Sequence, residues 1–89
     1  MERAFSYFEK GANLLDKNAL YHLGVCYSKG EGTYLDMQKA IYYFELAVSK
    51  GDTKSLHNLA IIYENGLGVT SNFEKAHKYE EKYENSKKL

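Results

Sequence analysis

His22 and Cys26 lie four residues apart, so a helix through them would present an imidazole and a thiol on one side, the beginning of a metal site. Two donors fall short of the four ligands of a structural zinc centre, and His22, His57 and His77 do not pair at helical spacing with one another. The simpler reading is an exposed histidine beside a small buried thiol, with no metal and no cofactor. Gly30-x-Gly32 and Gly66-x-Gly68 are glycine pairs of the kind that let a backbone cradle a phosphate. Such a cradle needs a strand before it and a helix start after it, whereas each of these pairs follows a helical pattern. The carboxylate groupings Glu80 with Glu81 and Glu31 with Asp36 lack a partner base, and no set of nucleophile, base and orienter is legible. The chemistry on offer therefore points away from catalysis and toward contact.

What positions these residues is a repetition. Leu23-Gly24-Val25-Cys26-Tyr27 and the glycines after it return thirty-six residues later as Leu59-Ala60-Ile61-Ile62-Tyr63 with Gly66 and Gly68. The phase holds for Asp16 with Asp52, Leu20 with Leu56, Lys39 with Lys75, Ala40 with Ala76, Tyr43 with Tyr79 and Glu45 with Glu81. A fixed period of this length marks units that cannot bury their apolar faces alone and must stack.

Each unit reads as two helices. Leu20, Leu23 and Tyr27 share a face, with Gly24 beside them where a neighbouring helix must come close. Gly30 and Gly32 end that helix, Asp36 starts the next, and Ala40, Ile41, Phe44, Ala47 and Val48 form its buried stripe. Gly51 stops it, Asp52 starts a helix bearing Leu56, Leu59 and Tyr63, and Asn72 starts a last one with Phe73, Ala76, Tyr79, Glu80 and Tyr83 along its inner side. Ala4, Phe5, Phe8 and Ala12 predict one more helix over residues 2–13, in phase with the second helix of a unit. The expected organisation is one all-α domain of five helices. Residues 1–15 form the second helix of a partial repeat, 16–51 a full repeat, and 52–89 a full repeat with a polar terminal helix.

Composition narrows the partner. Twelve basic side chains balance twelve acidic ones, which argues against a nucleic-acid groove or an anionic membrane surface. One cysteine excludes an intrachain disulfide, no apolar stretch approaches the roughly twenty residues of a membrane span, and the first residues lack a signal-peptide pattern. A cytoplasmic setting is the default expectation, and protein or peptide the expected partner.

The string Ala19-x-x-x-Leu23-Gly24-x-x-Tyr27-x-x-Gly30-x-Gly32, followed by Asp36-x-x-Lys39-Ala40-x-x-Tyr43, resembles the Sel-1-like repeat, a relative of the tetratricopeptide repeat. Leu59, Tyr63, Gly66-x-Gly68-Val69, Lys75-Ala76 and Tyr79 continue the likeness, which spans residues 19 to about 86. Ser55 stands in place of the usual alanine and Ala60 in place of the glycine. Phe44-Glu45-Leu46-Ala47 replaces a lysine before paired alanines. The resemblance implies a right-handed α-α superhelix, a solenoid of stacked antiparallel helix pairs, acting as scaffold or adaptor. Some relatives are credited with hydrolase activity, but those carry cysteine pairs that this chain lacks.

In repeats of that shape the first helix of each unit lines the concave surface. Asn18, Tyr21, Val25, Ser28 and Lys29 would then lie beside Lys54, His57, Ile61, Glu64 and Asn65, a mixture of aromatic, aliphatic and polar groups suited to gripping a peptide or helix. Val25 and Ile61 have a second reading, packing between adjacent helices, and the sequence leaves both open. An alternative role is self-association into a homo-oligomer, because Phe5, Tyr7 and Phe8 would have no preceding helix to cover them.

Overall fold

The computed structural model describes residues 16–87. Within them lie four helices, α1 (Lys17–Lys29), α2 (Met37–Ser49), α3 (Lys54–Asn65) and α4 (Phe73–Ser86), and no strand. The fifth helix expected over residues 2–13, and with it the uncovered Phe5, Tyr7 and Phe8, falls outside the described residues.

Helix starts follow the short polar side chains. The Asp16 carboxylate accepts from the Asn18 N–H at 2.9 Å, Asp36 from Lys39 at 3.2 Å and Asn72 from Lys75 at 3.0 Å. Each satisfies a backbone donor that the helix itself cannot. At α3 the expectation shifts by one residue. Thr53 occupies the cap position with no side-chain bond, and Asp52, one residue earlier, accepts from both the N–H and the hydroxyl of Ser55 at 2.9 and 2.7 Å. That pair is buried and mutually satisfied, which explains why serine serves at position 55.

The first helix of each unit ends identically. Gly30 and Gly66 adopt left-handed backbone with φ of 69° and 63°, and each donates to a carbonyl one turn back, Cys26 and Ile62. The chain then returns antiparallel. Tyr27, near the end of α1, lies flat on Tyr43 with ring centroids 5.7 Å apart, while Tyr21, earlier on α1, meets Phe44, later on α2. The α3–α4 pair repeats this, Tyr63 stacking on Tyr79 at 5.9 Å and His57 on Tyr83 at 4.9 Å.

The core lies where the two hairpins meet. Leu20, Leu23, Phe44, Ala47, Leu59 and Ile62 are buried together. Phe44 is 1% exposed and fills the space beside Gly24, where a Cβ would stand 2.5 Å from its ring. Truncating a buried phenylalanine costs about 3–5 kcal/mol. The second glycine of the second unit performs a different task from the first. A Cβ on Gly68 would fall 2.5 Å from Met37, and its carbonyl accepts from the Gln38 side chain at 3.0 Å, so the loop of unit two rests directly on α2 of unit one. Phe73, expected on the inner side of α4, is instead 72% exposed: its stripe neighbours Ala76 and Tyr79 turn inward, but no helix packs over the start of α4 among the described residues.

Candidate functional site

The first helices of the two units are neighbours. Lys54 of α3 places its ammonium 4.8 Å from the centre of the Tyr21 ring on α1, and Ser28 of α1 shares a small cavity of about 140 Å³ with Asn58 and Ile61 of α3. The two sets singled out from the sequence thus meet at two places along adjoining helices.

Their members differ in what they leave free. Tyr21 and Val25 are half-buried and pack on the hydrophobic core. Ser28 donates its hydroxyl to the Val25 carbonyl at 2.9 Å and Asn65 donates its amide to the Ile61 carbonyl at 3.0 Å, so both polar groups are engaged by their own helix. Asn18, Lys29 and Lys54 are exposed, as are His57, Ile61 and Glu64. His57 is held by its stack on Tyr83 and by Glu80, whose carboxylate lies 3.4 Å from Nδ1.

This last contact reveals a surface that helical periodicity alone did not separate from the groove. His57, Ile61 and Glu64 of α3 face Phe73, His77 and Glu80 of α4 across an open slot of about 520 Å³. The slot continues along α4 past Glu81 and Glu84. On another side of the same helix, Lys75, Lys78 and Lys82 stand together near Tyr79. Glu74 stands with these lysines, while Glu80, Glu81 and Glu84 line the slot side. Aligning the two units could have found the slot, because its lining residues lie thirty-six positions after those with which unit one receives α3.

His57 with Glu80 is a base and an orienting carboxylate without a nucleophile in their cavity. Cys26 is buried, and burial first, with Glu31 nearby second, pushes its thiol pKa up, the reverse of what a nucleophilic cysteine needs. Among the described residues no group of three or more histidine, cysteine or acidic side chains could hold a metal ion, and no helix is long and apolar enough to cross a membrane.

Two stacked helical hairpins joined through glycine-closed turns define an α-helical repeat protein of the kind that assembles by nearest-neighbour packing. More narrowly, the chain belongs to the Sel1 repeat family, whose model matches residues 1–14, 17–52 and 53–82. Sel1 repeats form a helical, solenoid-like fold that typically binds proteins. Among solved structures, the fold is similar to a Sel1 repeat protein from Oxalobacter formigenes (TM-score 0.86, 23% identity), covering 94% of this chain and 34% of that one. It is also similar to a protective antigen present in uropathogenic Escherichia coli strains and displaying an SLR fold (TM-score 0.86, 23% identity), covering 92% of this chain and 18% of that one. The chain therefore spans about a third and about a fifth of the length of these two proteins. No curated protein matches it.

Proposed function

We propose that this domain is a protein-interaction scaffold that holds a peptide or helix of a partner along the concave side formed by α1 and α3, without catalysing a reaction. The right-handed course of the array belongs to the same reading, since that hand turns the first helices of successive units inward. The observation that carries it is the Tyr21–Lys54 contact. It sets α1 beside α3 with an aromatic ring, an ammonium and the exposed Ile61 available to one ligand. Aromatic and aliphatic anchors among polar groups are what concentrate binding energy at an interface.

The test is to select peptides from a displayed random library on the folded chain and map their amide shifts. Bound peptides are expected to shift Tyr21, Lys54 and Ile61. Lys54→Glu is expected to weaken them without loss of helicity, because Lys54 is exposed. Shifts confined to Tyr42 and Lys82, outside the groove, would overturn the reading.

A further inference from the structure

Where the end of α1 meets α3, the groove is indented. The cavity of about 140 Å³ beside Ser28 and Asn58 lies between the two units, so both of its sides belong to described helices. Phe44 and Ile62, both buried, form its base, and the exposed Ile61 and Leu67 stand at its mouth. Half-buried Met37 completes the wall. Among the described residues no ionisable group borders it, so a charged occupant would leave water without a partner to meet.

Size and polarity together choose the occupant. Sites for free drug-sized molecules run to roughly 300–1,000 Å³, whereas an apolar cavity of about 150 Å³ takes a single benzene ring. The space beside Asn58 thus holds one side chain the size of leucine or phenylalanine. Its polar lining says what that side chain is attached to. Ser28 donates its hydroxyl to the Val25 carbonyl, but the Asn58 amide makes no hydrogen bond among the described residues. Asparagine inside a helix is inferior to alanine, and here no local bond compensates. The matching residue of unit one is His22, so stacking the repeat does not call for an amide at this place. A carboxamide sets donors beside an acceptor, the complement of a peptide group and of nothing in a bare hydrocarbon.

We propose that this cavity is the anchor pocket of the groove. It takes one large apolar side chain of a partner segment, while Asn58 pairs with the peptide group beside that side chain, Oδ1 accepting its N–H and Nδ2 donating to its carbonyl. The proposal rests on the groove reading for the class of partner, and adds which residue of the partner is gripped and which residue of this chain selects it.

Three probes separate the parts: N-acetyl-leucine methylamide, which carries a side chain and two peptide groups, its serine counterpart, and toluene, which carries a ring and no peptide group. Each is titrated into the whole chain, with backbone and Asn58 side-chain amide shifts as readout. The leucine compound is expected to shift the Asn58 side chain together with Ile61 and Leu67, and to bind about tenfold tighter than the serine compound. Asn58→Ala should bind it about fivefold more weakly yet melt no lower than the parent chain, a combination that a merely structural amide would not give. Ser28→Leu, which fills the cavity, should abolish binding with helicity kept. No shift from the leucine compound, or equal binding of the leucine and serine compounds, overturns the proposal. So does an Asn58→Ala chain that melts lower or binds undiminished. Toluene alone shifting the cavity overturns it also, by giving the space to a free apolar molecule. The two readings fail separately. Library peptides that shift Tyr21 and Lys54 but leave Asn58 unmoved would overturn the pocket and keep the groove. Leucine-compound shifts at Asn58, with peptides that pass by Tyr21 and Lys54, would keep the pocket and overturn the groove.

Discussion

Lys39 lies 5.3 Å from the centre of the Tyr27 ring, which lies flat on Tyr43, and Lys75 lies 4.5 Å above Tyr63, which lies on Tyr79. The lysine of each unit is thus one layer of a sandwich that closes its hairpin, each aromatic pair adding about 0.5–1.5 kcal/mol beyond its buried area. Tyr79 is also tied to the other unit, donating its hydroxyl to Glu45 at 2.9 Å. Burial first, and then that hydrogen bond, hold its pKa well above the ordinary tyrosine value. The folded state keeps this proton more tightly than the unfolded chain does. The contribution is therefore complete below about pH 10, where unfolded tyrosine titrates, and erodes as pH rises further toward the folded value. Tyr79→Phe is expected to cost about 1 kcal/mol at pH 7 and to flatten the decline in urea midpoint above about pH 10, read by circular dichroism. A parallel decline in both chains would show that Glu45 does not hold that proton. A second residue-scale contrast sits at Gly24 and Ala60. Glycine faces Phe44, whereas the alanine of unit two shares its cavity with Glu80 in the matching place. Gly24→Ala should cost about 1–3 kcal/mol in thermal or urea melts through overpacking. Ala60→Gly should cost about 1 kcal/mol through helix propensity alone.

At the scale of the element, α3 starts on a buried carboxylate, where α1 and α2 start on exposed or half-exposed ones and α4 on the exposed amide of Asn72. Asp52 is 5% exposed, bonds Ser55 twice, and has Lys54 at 3.7 Å. Asp52→Ala removes a helix cap and strands a buried hydroxyl, so its cost should exceed the usual capping loss of about 1 kcal/mol and reach about 2–3 kcal/mol. Ser55→Ala, which leaves the N–H bond to Asp52 in place, should cost less. The combined variant should fall short of the sum, a double-mutant cycle in urea being the measurement. Helix starts at Asp16, Asp36 and Asn72 were legible because one short acceptor precedes each apolar stripe. The start of α3 was legible only to within a residue, since Asp52 and Thr53 are both cap formers and the choice depends on the tight turn at Gly51, φ 98°. The apolar stripes and the closing glycines were equally plain, because they obey local periods. Phe73 and His57 were not, for a different reason. Periodicity says which side of a helix is apolar, not which neighbour stands there. Phe73 shares the stripe of Ala76 yet is exposed, and His57 shares the register of Tyr21 yet turns to Tyr83. Comparing each position with its partner thirty-six residues away separates groove from slot; reading either helix singly does not.

Across the whole molecule, the two middle helices join the hairpins: α2 packs on α1 within its hairpin and on α3 between hairpins, as α3 packs on α4 and on α2. Each hairpin of about thirty-five residues is below the size at which a chain usually folds without staples. Stability must then come from the junction as much as from either unit. Gly68 probes this without disturbing any helix, because it lies in the loop after α3 and before α4. An alanine there must accept φ of 73° and push a Cβ to 2.5 Å from Met37, so the second loop lifts off α2. The expected loss is about 1–3 kcal/mol. Its distribution is the informative part. If the two units hold each other up, native-state hydrogen exchange in Gly68→Ala will show protection falling by the same factor at Leu23 of α1, far from the substitution, as at Leu59 of α3. Protection preserved at Leu23 while it drops at Leu59 would mean that the first hairpin stands by itself, and the account of α2 as shared support would fail.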